Sequence, residues 1–338
     1  MPELYVALLT KSAPLPAAEL TQHFQHFLPV LQQHFPTLKT SPQDIQQHFS
    51  PHPSPNGTHK HLIATLALDF TPTEQTILQA RTALQPQAAT LGLWLVLHPH
   101  TAIMHSPTPS SAPRLAVFDM DSTLIQQEVI DELARAVGQY DRVAAITEAA
   151  MRGEEAYKDF ELSLRARVAL LKGVEGAIWD ELKRDVIRFT PGAKELIRCL
   201  KSQGWKTAVL SGGFVPLAEW VKGELGLDYA YANRLETDGE GRLTGRLEEG
   251  SMVVDGQRKK ALLREIAERE GVARDAVIAV GDGSNDLPMM GEAALGIAFN
   301  AKPKVQERAP AVINGKSLLE LLSILGWTES DIKAVLES

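Results

Sequence analysis

Three short apolar runs, each stopping at an acid- or glycine-rich segment, constrain the fold of this chain more than any other feature. Arg114-Leu-Ala-Val-Phe118 stops at Asp119, Lys206-Thr-Ala-Val-Leu210 at Ser211, and Ala276-Val-Ile-Ala-Val280 at Gly281. Leu295-Gly-Ile-Ala-Phe299 is a fourth run. Continuous apolar runs of this length read as strands buried on both faces. Strands that alternate with helical stretches build a mostly parallel sheet. The expected fold class is α/β, a Rossmann-like sheet. Such sheets bind ligands beyond the carboxyl ends of their strands, so the polar ends are where chemistry is expected.

The first end reads Asp119-Met-Asp121-Ser-Thr123. Two carboxylates one residue apart repel unless a cation joins them or one is protonated. Mg²⁺ favours oxygen ligands, and aspartate is a competent nucleophile toward phosphorus. The third end, Gly281-Asp282-Gly-Ser-Asn285-Asp286, supplies a second carboxylate pair from distant chain. The second end, Ser211-Gly212-Gly213, offers a hydroxyl and backbone N–H groups on which an anion can rest. Lys259 and Lys260 open a helix expected over 260–271, and a lysine there would neutralise phosphate as a point charge. Spacing alone does not separate the two. All ten histidines lie between His23 and His105, which leaves proton transfer in the later part to carboxylates.

The stretch between the first two ends has a helical pattern and is expected to cap the site over about 126–188. One helix is expected over 128–138, a second from near Asp141 past Met151, and a third from near Glu154. Phe160, Leu164, Val168 and Leu171 form the stripe of the third. Seven residues on from Phe160, Arg167 sits within about 20° of it around the helix and borders the inward face. An arginine there suits bidentate carboxylate recognition.

Composition separates the first 105 residues from the rest. They hold four of the 34 Lys/Arg, while fifteen of the twenty prolines lie at or before Pro113. A Pro/Ser linker is expected over 106–113. The first part reads as a βαββαβ, ferredoxin-like module. Its strands are expected at 4–9, 61–69 and 93–97, and its helices over 16–33 and from Thr71-Pro-Thr-Glu74 to about Gly92. The net charge of −8 argues against nucleic acid as a partner. No apolar run reaches the roughly 18 residues of a membrane span. The first residues lack a basic start and a long apolar run, so no secretory signal is expected. Cys199 is the sole cysteine, and the expected location is the cytoplasm.

Asp-x-Asp-x-Thr, Ser-Gly, a lysine and Gly-Asp-Gly-x-x-Asp, in this order at strand ends, resemble the haloacid dehalogenase (HAD) phosphotransferase superfamily over about 113–315. The resemblance implies that Asp119 is the nucleophile and Asp121 the general acid/base. It implies that Ser211 and Gly212 bind the phosphoryl group, and that Lys259 pairs nucleophile and phosphate, with Lys260 as the fallback. Mg²⁺ would be held by Asp119, the backbone carbonyl of Asp121 and Asp282, with Asp286 in support. Asp-x-Asp-Ser-Thr-Leu-Ile-x-x-Glu128, Asp159-Phe160-Glu-x-Ser-Leu-Arg-x-Arg167, Leu210-Ser-Gly-Gly-Phe214 and Tyr231-Ala-Asn-Arg234 are similar to the phosphoserine phosphatase branch. That likeness implies O-phosphoserine as substrate. Glu128 would hold its ammonium, Arg167 its carboxylate, Met151 and Phe160 the pocket wall, and Asn285 its orientation. Serine biosynthesis would be the setting. Phosphothreonine, phosphohomoserine or another small phosphate is the alternative substrate. An amino-acid sensor built on the first module, which is ACT-like in this reading, is the alternative of another class. A homodimer is expected of such a module.

Overall fold

The computed structural model describes residues 3–10, 15–38, 45–49, 58–59, 61–67, 72–99, 102–106, 112–152, 154–157 and 159–338. Most of the expected linker lies outside them.

The chain opens with β1 (Glu3–Thr10), α1 (Ala17–His34), β2 (Ile45–Phe49), β3 (His61–Ala67), α2 (Glu74–Thr90) and β4 (Leu93–His98). The strands form one antiparallel sheet in the order β2-β3-β1-β4, the ferredoxin-like arrangement. Residues of period two, Leu4 and Val6, Leu62, Ala64 and Leu66, and Leu93, Leu95 and Leu97, bury one face of this sheet. Leu20, Phe24, Phe27 and Leu31 of α1 and Ala80, Leu84 and Ala88 of α2 cover it. The cap of α2 is Thr73, whose side chain accepts from the Thr76 N–H at 3.2 Å, so Pro72 precedes the helix instead of entering its first turn. Thr71 lies outside the described residues. The strand β2, with its polar Gln-Gln-His centre, carries no apolar alternation that marks it in the sequence.

The strand β4 is buried on both faces. Its Leu93, Leu95 and Leu97 face the helices of its own module, while Val96 joins the core of the following sheet and Trp94 packs against it.

That second sheet is parallel and six-stranded. Its elements begin with β5 (Arg114–Phe118), α3 (Val129–Ala136), α4 (Tyr140–Arg152), α5 (Phe160–Ala169), α6 (Ala193–Ser202) and β6 (Trp205–Phe214). They continue with α7 (Val215–Leu225), β7 (Tyr229–Asn233), the hairpin β8 (Leu235–Thr237) and β9 (Leu243–Leu247), and α8 (Gly256–Glu270). Then follow β10 (Val277–Gly281), α9 (Leu287–Glu292), β11 (Leu295–Phe299), α10 (Pro303–Arg308), β12 (Ala311–Ile313) and, after further turns, α11 (Glu329–Glu337). The spatial order is β12-β11-β10-β5-β6-β7. Strand order therefore reverses direction between β5 and β10, which bear the Asp119 and Asp282 ends. That switch point is where a doubly wound sheet opens a crevice.

Three local expectations change. The strand expected to stop before Ser211 runs on to Phe214, because a register shift after Leu210 lets Phe214 pair with Asn233. The third cap helix starts at Phe160, not near Glu154. Asp159 caps it by accepting from the Glu161 N–H at 2.8 Å, and 155–157 form a separate short turn. Helix α8 starts at Gly256, four residues early, with Asp255 accepting from the Arg258 N–H at 2.7 Å.

Candidate active site

The Asp119 end departs from regular backbone at once. Residues Met120–Leu124 make a single π-type turn, closed by the Ile125 N–H on the Met120 carbonyl at 3.0 Å. Inside it Ser122 adopts φ 54°, a left-handed conformation uncommon for serine. Its hydroxyl donates to Glu128 Oε1 at 2.7 Å, which ties this turn to the residue that opens α3. The Asp119 N–H donates to the Val280 carbonyl at 2.8 Å and so anchors the turn across the switch point.

Asp119 Oδ1 accepts from its neighbour's Met120 N–H and from Lys259 Nζ, both at 2.7 Å. Oδ2 carries no hydrogen bond among the described residues. Lys259 is wholly buried and also donates to Asp286 Oδ1 at 2.7 Å. Burial alone would pull the pKa of its ammonium down, but the two carboxylates outweigh that and hold it above its ordinary value. Lys260 instead turns out to an ion pair with Glu292 at 3.2 Å. Consecutive helical residues point about 100° apart, so only one of the two lysines can face the strand ends. Geometry separates what spacing left open.

Asp282 and Asp286 stand on the loop after β10. The Asp286 carboxylate folds back to accept from the Gly283 N–H at 2.9 Å. It passes so close to Gly281 that a Cβ there would lie 2.4 Å from it, which only glycine permits. One oxygen each of Asp119, Asp282 and Asp286 can lie within 4.8 Å of the others. Asp286, expected in a supporting place, is thus part of the cluster. The Asp121 side chain is not. Its Oδ2 accepts from the Val129 N–H at 3.3 Å, and its buried Oδ1 has no hydrogen-bond partner among the described residues.

The cluster is short of positive charge. Burial, then Asp286 and Glu128, push the Asp282 carboxyl up to about 7. Burial and the neighbouring acids raise Asp119 well above the usual carboxylate range, against the pull of Lys259. Asp121 is raised too, by burial first and then by Glu128 and Asp119. Hard oxygen donors crowded around too little positive charge fit a divalent cation.

Ser211 and Gly212 lie at the bulged end of β6. The Ser211 hydroxyl accepts from the Gly213 N–H at 2.8 Å. Asn233 holds this end from behind: its Nδ2 donates to the Gly212 carbonyl and its Oδ1 accepts from the Val254 N–H, both at 2.8 Å. Sequence reading quoted Asn233 only within a motif. Its two bonds to remote backbone appear only in three dimensions. A Cβ on Gly212 would lie 3.0 Å from the Phe160 ring, so the missing side chain is what lets the cap settle on this loop.

These groups share one cavity of about 750 Å³. Asp119, Asp121, Ser211, Asp282 and Asn285 line its floor, and Glu128, Phe160 and Arg167 line it from the cap. Arg167 donates from Nε to the Ser163 carbonyl at 3.2 Å. Burial lowers its pKa, opposed by Asp131, Glu128 and Asp121, and an arginine remains charged there. Met151 belongs to α4, and its side chain lies outside what is described. Two features were missed. Asp131, three residues after Glu128, faces the same guanidinium, as i,i+3 spacing could have suggested. Lys302 and Lys304 line the rim just past β11, the fourth strand end, where the strand-end rule already pointed.

The haloacid dehalogenase-like hydrolase family profile matches residues 116–291, slightly more than half of the chain. The chain belongs to this family. The hydrolase is 53% identical over 232 residues to a probable phosphoserine phosphatase of Schizosaccharomyces pombe, covering 68% of this chain and 76% of that one. It is 44% identical over 247 residues to a phosphoserine phosphatase of Archaeoglobus fulgidus, covering 73% and 68%. Among solved structures, a HAD family hydrolase of Salmonella enterica serovar Typhi matches 96% of this chain and 98% of its own, with a TM-score of 0.70 and 29% identity. HAD phosphatases generally use a divalent metal, and the acid cluster of this hydrolase suits one. No helix among the described residues is long and apolar enough to cross a membrane.

Proposed function

We propose that this hydrolase converts O-phosphoserine to serine and phosphate, the last step of serine biosynthesis, in the cytoplasm. The carrying observation is that one cavity holds Asp119 and Asp121 on its floor and, in its roof, an acid and an arginine, while the buried Lys259 joins Asp119 to Asp286 behind that floor. In this reading the ferredoxin-like unit spans 1–105, the catalytic unit 114–338 and the cap about 126–188. The likeness to phosphoserine phosphatases supports the substrate.

Asp119 attacks phosphorus in line, forming an acyl-phosphate as the phosphorus–serine oxygen bond breaks. The Asp121 carboxyl stands beside the same site and gives its proton to the departing serine oxygen. It then takes a proton from the water that attacks the acyl-phosphate, which releases phosphate and restores Asp119. Lys259, Ser211 and the backbone near Gly212 hold the phosphoryl oxygens. Asp119, Asp282 and Asp286 would hold Mg²⁺, with the Asp121 carbonyl as a further ligand. When bound, the ion neutralises charge on the transferring phosphoryl group. Glu128 would take the substrate ammonium and Arg167 its carboxylate.

Phosphate release from O-phosphoserine, O-phosphothreonine, phosphohomoserine and an aryl phosphate tests this, with Mg²⁺ and with a chelator. Phosphoserine should be strongly preferred and the chelator should stop turnover. Good turnover of the aryl ester with weak turnover of phosphoserine would keep the chemistry and refute the substrate.

Arg167→Ala is expected to lower kcat/KM for phosphoserine by about 10- to 150-fold, from roughly 1.5–3 kcal/mol for a charged hydrogen bond. The aryl ester lacks a carboxylate and should be nearly unaffected. Equal losses on both would make Arg167 a structural residue.

A further inference from the structure

A second cavity, of about 420 Å³, lies where the ferredoxin-like sheet meets the catalytic sheet. Its walls come from α2 and β4 on one side and from α9, β11 and α10 on the other. Most of them are apolar, with Ile77, Leu97, Met290 and Leu295 among them. Leu78 lines it too and is one of four exposed large apolar residues among the described ones.

The charged groups in this wall have one sign. They are Arg81 and Arg308, and no acid lines the cavity among the described residues. Arg308 is exposed, whereas Arg81 is only 6% exposed. A guanidinium has five N–H donors. Arg81 makes one long bond, from Nη2 to the Glu307 carbonyl at 3.4 Å, and no carboxylate pairs with it among the described residues. Taking an unpaired cation from water costs several kcal/mol, so buried arginines are normally matched by an anion. Here the unmatched donors border a cavity within the size range of small-molecule sites.

We propose that this cavity is a second ligand site, for a small carboxylate with an apolar body. The carboxylate pairs with Arg81, bidentately where the fork allows. The hydrocarbon part replaces water against Ile77, Leu97 and Met290. The site is remote from the acid cluster in lining residues and shares none with the catalytic cavity.

Calorimetric titration of the full chain with 3-phenylpropanoate, and with the neutral 3-phenylpropanamide, tests this. The acid should bind and the amide should bind at least tenfold more weakly. Arg81→Met should weaken the acid at least tenfold without changing turnover of an aryl phosphate. Should that variant fold poorly, Gly291→Phe serves, since a Cβ at Gly291 meets nothing within 4 Å and the ring would fill the cavity mouth. It should abolish binding of the acid. Failure of the acid to bind, equal binding of acid and amide, or undiminished binding to either variant would each overturn the proposal. None of these outcomes depends on phosphoserine being the substrate.

Discussion

Asp119→Asn is expected to cut phosphate release by about 10⁴-fold or more, the scale on which removal of a catalytic nucleophile is felt. The amide keeps the shape of the carboxylate but cannot form an acyl-phosphate. Stability should not follow activity. The fold raises the Asp119 carboxyl's pKa because burial, Asp286 and Asp282 together oppose its charge more than Lys259 favours it. The native state therefore resists the ionised form, and at neutral pH a neutral side chain does not carry that penalty. In the presence of a chelator the variant's urea midpoint should equal or exceed that of the wild type. A turnover within tenfold of the wild type would refute covalent catalysis at Asp119. A collapse of the fold in chelator would refute the electrostatic account.

Lys259→Met should fail in both respects. The ammonium sits wholly buried between Asp119 and Asp286, at 2.7 Å from each. Its removal leaves two buried carboxylates facing each other with no cation, a change that typically costs about 3–5 kcal/mol. Activity should fall by about 10²–10³-fold, as when one preorganised donor to a developing charge is lost. Lys260→Met, which removes only an ion pair with Glu292 at the surface, should leave both readings near the wild type. Urea unfolding in chelator and initial rates with Mg²⁺ check the pair of variants. Equal behaviour of the two variants would refute the distinct roles that their positions on α8 assign them.

The boundaries of the elements show how far reading the chain could go. Apolar runs such as Arg114–Phe118 and Leu295–Phe299 match their strands residue for residue, because burial on both faces leaves no polar residue in them after the leading Arg114. Tyr229–Asn233, Ala311–Ile313 and Ile45–Phe49 gave no comparable signal. All three lie at sheet edges and Ile45–Phe49 also carries a polar centre, so partners and not composition make them strands. The third cap helix begins with its apolar stripe at Phe160, later than the start expected near Glu154, since Asp159 takes the cap position.

The chemistry of the candidate site was legible for the same reason as the strands. Carboxylates, a hydroxyl and glycines at the ends of buried strands must meet at one edge of a parallel sheet, whatever the loops do. Residue type and order along the chain were thus enough to bring Asp119, Asp121, Ser211 and Asp282 to one cavity. Three matters needed the fold. Lys259 and Lys260 are equal in sequence until the start of α8 at Gly256 sets which one turns inward. Asp286 joins the acid cluster only because glycine at 281 lets its carboxylate fold back. The Arg81 cavity arises where two units meet, and a contact between surfaces distant in sequence leaves no periodicity in either. Local pattern determines which groups a strand end presents. Which of them touch is decided by packing angles and close approaches that the linear order does not contain.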